Sequence, residues 1–132
     1  MKYLLDTNAV IALVNRRSVR LREWLLEQAP AEIGLSVIVY HELYYGAFKS
    51  QRPEANLDIV DYLEFEAVEF TKDDARVAGE LRALLARAGS PIRPYDVLIA
   101  AQAKLRGLVL ITANTGEFAR VAGLQIENWL VD

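Results

Sequence analysis

The chain contains no cysteine and a single histidine, His41. Without cysteine it has no disulfide framework, no thiolate metal site and no cysteine nucleophile. One histidine excludes a zinc site built from several histidines. A Ser-His-Asp relay would have to use His41, and no nucleophile elbow lies near it in the sequence. These chemistries are set aside, and His41 is predicted to lie on a helix surface or at an interface.

Long hydrophobic runs and glycine-rich loops are also missing. No apolar stretch approaches membrane-spanning length, and the chain enters a strand-like run directly after Met1-Lys2, without a signal or transit segment. No glycine-rich phosphate loop occurs. The 132 residues, 53% hydrophobic and 25% charged, suffice for one domain over residues 1–132 with its own core. We expect a cytoplasmic protein with no membrane partner.

The net charge of −3 does not favour a nucleic-acid partner. The distribution of charge weakens that objection, because four arginines cluster in one short segment: Arg16, Arg17, Arg20 and Arg22. Arginine binds phosphate through a planar fork of donors. Pairing of these arginines with Glu23 and Glu27 on a solvated helix face explains the cluster equally well, and both readings stay open.

Short strand-like runs alternate with helical patterns along the whole chain. Strands are predicted over residues 2–5, 33–35, 67–70, 108–111 and 124–127. Helices are predicted over residues 10–14, 21–28, 37–50, 54–63, 72–88 and 94–106. No two strands form an adjacent hairpin. The sequence therefore predicts an α/β fold with a mainly parallel sheet of four to five short strands, flanked by helices on both faces.

Three carboxylates stand in apolar surroundings. Asp6 follows Tyr3-Leu4-Leu5, Glu42 interrupts a stretch of aliphatic and tyrosine residues, and Asp96 precedes Val97-Leu98-Ile99-Ala100-Ala101. Carboxylates are rarely buried unless something compensates their charge. A shared divalent cation compensates several at once, and oxygen-rich acidic sites suit Mg²⁺ or Mn²⁺. The pattern therefore indicates a metal-dependent enzyme.

Each acid also has a structural explanation. Thr7 or Asn8 can cap the first helix, which explains those two residues but leaves Asp6 one position too early for the cap. Glu42 can pair with an arginine or a tyrosine hydroxyl. Asp96 lies in the first turn of its helix, where the helix dipole favours an acid by roughly 0.3–1 kcal/mol. The same dipole would keep Asp96 ionised and able to hold a cation.

A second polar cluster follows the fourth predicted strand, at Thr112-Ala113-Asn114. Parallel sheets place their sites at the carboxyl ends of the strands, so this cluster is expected near Asp6. Asn114 is compatible with a simple turn, or it can orient a metal-bound water. A phosphoaspartyl phosphatase is a weaker alternative, because that mechanism usually requires a second acid where Asn8 stands.

Four segments resemble, in order and at suitable spacing, the motifs of PIN-domain ribonucleases, most closely those of VapC-type toxins. They are Leu4-Leu5-Asp6-Thr7-Asn8; Ser36 through Glu42-Leu43 and Gly46; Gly89-Ser90-Pro91-Ile92 with Pro94-Tyr95-Asp96-Val97-Leu98-Ile99-Ala100-Ala101; and Thr112-Ala113-Asn114-Thr115-Gly116-Glu117-Phe118 through Trp129. The match covers nearly the whole chain. It implies a three-layer PIN-like fold and an Mg²⁺- or Mn²⁺-dependent endoribonuclease that leaves a 5′-phosphate and a 3′-hydroxyl.

The resemblance also implies roles for individual residues. The catalytic set would be Asp6, Glu42, Asp96 and Asn114, with the three acids as metal ligands. The residues that contact substrate or orient water would be Thr7, Asn8, Arg93 and Thr112. Asn114 stands where relatives carry either aspartate or asparagine, so the fourth position is an amide here. Arg93 is a departure from the family pattern, because relatives often carry glycine at that position. Arg93 could bind a phosphate, or it could pair with Asp96 when no metal is bound.

The partners implied by the family are an RNA substrate, a cognate antitoxin protein and a second copy of the chain in a homodimer. Several apolar and aromatic residues could form the antitoxin groove or the dimer surface, although most are better explained as core: Trp24, Leu25, Tyr40, Tyr44, Tyr45 and Phe48. The alternative function is a catalytically weak PIN-like domain that binds RNA or a protein without cutting.

Overall fold

A five-stranded parallel sheet forms the centre of the computed structural model, which describes residues 1–130. The strands are β1 (Tyr3–Leu5), β2 (Ile33–Ser36), β3 (Glu66–Val68), β4 (Val109–Ile111) and β5 (Ile126–Glu127). Their order across the sheet is β3-β2-β1-β4-β5, and all four pairs of neighbouring strands are parallel. The predicted α/β architecture is confirmed, and β1 occupies the middle of the sheet.

Helices connect the strands and cover the sheet. They are α1 (Thr7–Val14), α2 (Val19–Leu26), α3 (Val37–Lys49), α4 (Pro53–Asp61), α5 (Lys72–Arg87), α6 (Pro94–Arg106) and the single turn α7 (Thr115–Phe118). A short 3-10 turn at Pro30–Glu32 precedes β2. Within residues 1–130, no helix is both long and apolar enough to cross a membrane.

The helix boundaries follow from local chemistry that the sequence displays. Ser36 caps α3 by accepting from the amide of Ile38, and Thr71 forms a reciprocal capping box with Asp74 at the start of α5. Pro94 opens α6, and Gly107 ends it in the left-handed conformation at φ 64°. The predicted helix starts at these positions are confirmed.

Two local expectations were wrong. Helix α1 begins at Thr7 and is capped by Asp6, whose side chain accepts from the amide of Ala9 at 2.8 Å. The cap expected from Thr7 or Asn8 is therefore supplied one residue earlier, so Asp6 does have a structural role. The turn expected after Asn114 continues as the helical turn α7, and Asn114 is its N-cap residue.

The core lies along the middle strands and the helices packed on them. Leu4, Leu5, Leu110 and Ile111 are fully buried, as expected for parallel strands covered on both faces. Trp24, from the set expected at a groove or dimer surface, belongs to this core and packs edge-on against Tyr3. Tyr45 and Phe48, from the same set, are exposed. The core thus fixes the carboxyl ends of β1 and β4 side by side.

Candidate active site

A cavity of about 250 Å³ opens at the carboxyl edge of the sheet, and we call it the acidic cavity. Three separate segments line it: the turn after β1, the middle of α3 and the start of α6. The lining residues are Asp6, Thr7, Asn8, Glu42, Arg93, Pro94, Tyr95 and Asp96. The three acids singled out from the sequence therefore face one space, although 35 or more residues lie between each and the next.

Asp6 is the most constrained residue of the acidic cavity. It is only 4% exposed, and both of its carboxylate oxygens have donors within the protein. Oδ1 accepts from the amide of Ala9, and Oδ2 accepts from the hydroxyl of Thr112 at 2.5 Å. These two contacts tie the carboxylate to the start of α1 and to the end of β4, so its position is set by the sheet itself.

Glu42 reaches the acidic cavity from α3 and is held by Thr7. The hydroxyl of Thr7 donates to Oε1 of Glu42 at 2.9 Å. This bond joins the first turn of α1 to the middle of α3, two helices that also pack against each other. Thr7 therefore orients an acid and also lines the acidic cavity, and its contact with substrate or water stays a prediction.

Asp96 lies in the first turn of α6 beside two charged neighbours. Nε of Arg93 is 3.2 Å from Oδ2 of Asp96 and 3.8 Å from Oε2 of Glu117. Glu117 also accepts from the backbone amide of Arg93 at 2.8 Å. The pairing of Arg93 with Asp96 that the sequence left open is observed.

Glu117 is a charged residue of the site that the sequence reasoning missed. Its Oε2 accepts from the side-chain amide of Asn114, so Asn114 holds Glu117 and does not line the acidic cavity. Glu117 stands three residues after Asn114 in the same motif, and an acid in the first turn of a short helix was the available signal. Thr112 is fully buried under Asp6, which favours a role in positioning Asp6 over contact with substrate.

Burial is the main cause of the raised pKa values in the acidic cavity. Burial raises the pKa of Asp6, against the hydrogen bonds from Thr112 and Ala9 that lower it. Burial, reinforced by the charge of Glu117, raises the pKa of Asp96 to about 6, even though Arg93 opposes the shift. For Glu117, burial is outweighed by donors from Arg93 and Asn114, and its pKa lies below the usual value. A bound cation would favour the charged forms of both Asp6 and Asp96 and so lower both pKa values.

The donor set suits a hard divalent ion. Carboxylate oxygens are the ligands that Mg²⁺ and Mn²⁺ prefer, and Asp6, Glu42 and Asp96 present them to one cavity. In residues 1–130, however, no three acidic or imidazole groups are close enough to form a ready ligand set. Each acid instead accepts a hydrogen bond from within the protein, Asp6 from Thr112, Glu42 from Thr7 and Asp96 from Arg93.

Comparison with known proteins gives a consistent family. A sequence profile described as PIN domain matches residues 3–124. A tRNA(fMet)-specific endonuclease VapC from Shigella flexneri is 39% identical over 98% of both chains. The chain also superposes on a chain of DNA-bound VapBC from Salmonella typhimurium with a TM-score of 0.92, 39% identity and 98% coverage of both chains. A member of the VapBC family of toxin-antitoxin systems from Mycobacterium tuberculosis superposes with a TM-score of 0.72, 27% identity and 98% coverage of both chains.

Proposed function

Since the chain belongs to the PIN-domain family, among its VapC-type ribonucleases, we propose that it is an Mg²⁺- or Mn²⁺-dependent endoribonuclease and the toxin of a toxin–antitoxin pair. One observation carries the chemical part of this proposal. Asp6, Glu42 and Asp96, which come from three distant segments, line one cavity at the carboxyl edge of a parallel sheet. Hard oxygen donors gathered in this way suit phosphodiester hydrolysis assisted by a divalent ion.

The metal, when bound, would activate a water and stabilise the charge that develops on the phosphate oxygens. Asp6 and Asp96 would be its most direct ligands. Glu42, oriented by Thr7, would ligate directly or accept a proton through water. Thr112 and the start of α1 hold Asp6 in place, so the geometry of this ligand does not depend on the metal.

Arg93 supplies the positive charge at the mouth of the acidic cavity. Its side chain is 68% exposed, so it can leave Asp96 without exposing core. With a cation held by Asp96, the guanidinium would be free to bind the scissile phosphate or a neighbouring one through its fork of donors. Asn8, which is exposed at the same mouth, can contact substrate beside it.

The substrate class we propose is RNA with unpaired nucleotides. Hydrolysis by an activated water does not require the ribose 2′-hydroxyl to attack, so selection of RNA has to come from contacts around the metal. A relative 39% identical to this chain is named a tRNA(fMet)-specific endonuclease, which makes initiator tRNA the first candidate to test.

An apolar groove next to the acidic cavity supports the antitoxin partner. Its lining, from α1, α3, α4 and the segment just after α4, includes Val10, Val14, Leu43, Val60 and Leu63, and Glu42 lies on its border. A partner helix in this groove would bury apolar area and reach Glu42 with a basic side chain. We also propose that the chain forms a homodimer in the cytoplasm. Sedimentation of the purified chain tests the oligomeric state.

Cleavage of initiator tRNA and of a single-stranded RNA pool, with Mg²⁺, Mn²⁺ or EDTA, tests the proposal. We expect cleavage only with metal, and a loss of at least a hundredfold in Asp6→Asn and Asp96→Asn. Asp58→Asn, which removes an exposed acid of α4, is the matched control. Cleavage that survives EDTA and both substitutions would refute the site. Binding of RNA without any cleavage would favour the non-cutting binding module.

A further inference from the structure

We infer that a second cavity, adjoining the acidic cavity, binds one unpaired nucleotide of the RNA, with its base on Tyr45 or Tyr95 and its phosphate at Lys49. This inference rests on the proposed ribonuclease function. The second cavity has a volume of about 700 Å³, within the roughly 300–1,000 Å³ of small-ligand sites. We call it the nucleotide cavity.

The two cavities are continuous. Thr7, Asn8, Glu42 and Tyr95 line both of them. An RNA strand with its scissile phosphate at the acidic cavity therefore places a flanking nucleotide in the nucleotide cavity. Thr7 and Glu42, which are joined by a hydrogen bond, line both cavities, so the contact that orients Glu42 also belongs to the wall of the nucleotide cavity.

The aromatic rings of the nucleotide cavity are exposed. Tyr45 is 60% exposed and Tyr95 is 47% exposed, so neither ring contributes much to the core. The ring of His41 meets that of Tyr95 edge-on at 5.3 Å, which limits the orientations that Tyr95 can adopt. Accessible aromatic faces at a fixed angle are the usual platforms for unpaired bases.

Positive charge lies beside the rings. Nζ of Lys49 is 4.7 Å from the centroid of Tyr45, close enough for a cation–π contact. The acids of the neighbouring cavity repel a polyanion, and the whole chain carries a net charge of −3. The positive charge of Lys49 therefore offsets this repulsion locally, so that an RNA phosphate can approach along this side.

The occupant is an unpaired nucleotide and not a duplex. Bases in an A-form helix are stacked on each other and offer no free face to a tyrosine. Stacking on a tyrosine tolerates any base, so this site would add affinity without reading sequence. Selectivity for a particular RNA sequence would then come from contacts outside the nucleotide cavity.

Binding of two fluorescent oligonucleotides to the full chain in EDTA tests the inference: a decamer of uridines, and an abasic decamer with the same phosphates. The wild type should prefer the uridine decamer. The variant that removes the stacking ring, Tyr45→Leu or Tyr95→Leu, should bind it about 5- to 150-fold more weakly, as expected for the loss of one stacked base, and bind the abasic decamer unchanged. Tyr45→Phe, which keeps a ring, and Tyr62→Leu, at an exposed tyrosine outside both cavities, should match the wild type.

The phosphate contact has its own measurement. Lys49→Gln should weaken both decamers and reduce the slope of log K against log salt by about 0.7, the value for one contact to a single strand. Equal affinity of Tyr45→Leu, Tyr95→Leu and the wild type for the uridine decamer would overturn the inference. That result would not contradict the proposed ribonuclease function. A wild type that binds neither decamer and cleaves no RNA would instead refute the proposed function as well.

Discussion

Arg93 and Asp96 form an ion pair across the first turn of α6, with Nε and Oδ2 3.2 Å apart. The arginine side chain is 68% exposed, whereas that of Asp96 is 14% exposed. The pair thus joins an exposed cation to a largely buried acid in the wall of the acidic cavity. Arg93 partly neutralises the position that a divalent ion would occupy, and it can leave without disturbing the core.

Removal of Arg93 should therefore strengthen metal binding. We expect Arg93→Gln to bind Mn²⁺ up to about fivefold more tightly by calorimetry, because an exposed pair contributes roughly 0–1 kcal/mol. The same variant should bind RNA more weakly, since it loses a phosphate contact. Arg87→Gln, at an exposed arginine of α5, is the control. Weaker Mn²⁺ binding in Arg93→Gln would show that the guanidinium does not compete with the metal.

Asp6 combines a structural role with the proposed catalytic one, and two substitutions separate them. Asparagine caps a helix about as well as aspartate, so Asp6→Asn should remove cleavage and leave the melting temperature equal or higher in EDTA. Burial disfavours the charge of Asp6, which is why the neutral side chain should not cost stability.

Asp6→Ala should lose cleavage and also about 1 kcal/mol of stability, because the amide of Ala9 loses its cap. Thermal unfolding of both variants in EDTA measures the difference. If Asp6→Asn is destabilised as much as Asp6→Ala, the loss of activity cannot be assigned to a missing ligand.

Asp96 should titrate near neutral pH in the metal-free protein. Its pKa of about 6 arises from burial and from the charge of Glu117, with Arg93 acting in the opposite direction. Between the ordinary pKa of an aspartate, about 3.9, and 6, the folded state binds more protons than the unfolded state, so this group makes stability fall as pH rises through that window.

Carboxyl ¹³C NMR of the metal-free protein follows this titration directly. We expect Glu117→Gln to lower the midpoint of Asp96, and Mg²⁺ to lower it further in the wild type. A midpoint near 4 in the metal-free wild type would show that Asp96 is better solvated than the structure indicates.

An ion pair away from the site provides a test of stability alone. Asp74 is fully buried at the start of α5, and Nη2 of Arg106 donates to its Oδ2 at 2.9 Å. We expect Arg106→Met to cost about 2–3 kcal/mol, less than the roughly 3–5 kcal/mol of a fully buried pair because Arg106 is 27% exposed. Urea unfolding measures this cost, with Arg76→Met at an exposed position of α5 as control.

Neither member of this pair lines the acidic cavity or the nucleotide cavity. The cleavage rate per folded molecule of Arg106→Met should therefore equal that of the wild type at low temperature. A slower rate at equal folded fraction would indicate that α5 and the end of α6 influence the site.

The helices and strands could be predicted from the sequence because capping residues, proline and glycine mark the helix ends. Ser36, Thr71, Pro94 and Gly107 stand at helix ends for reasons that operate within a few residues. The same local rules were insufficient at Asp6, where a strand end and a helix cap coincide in one residue. The sequence offered two explanations for Asp6, and the structure shows that the cap is real while the proposed ligand role remains to be tested.

The detailed contacts of the site depend on long-range geometry and could not be read from spacing. Thr112 meets Asp6 only because β4 pairs with β1, and Thr7 meets Glu42 only because α1 crosses α3. The contact between Glu117 and Arg93 could not be predicted, because Arg93 lies 24 residues earlier, on another segment. Such contacts join residues through the tertiary fold, and no local pattern encodes them.

The claim on which the account depends is that Asp6, Glu42 and Asp96 share one divalent ion. The most direct measurement is an anomalous difference map from crystals of the full chain grown with Mn²⁺. We predict a single strong peak inside the acidic cavity, within coordination distance of Asp6 and Asp96, with Arg93 turned away from Asp96. Saturating Mn²⁺ with no peak in this cavity, and Arg93 still paired with Asp96, would contradict it.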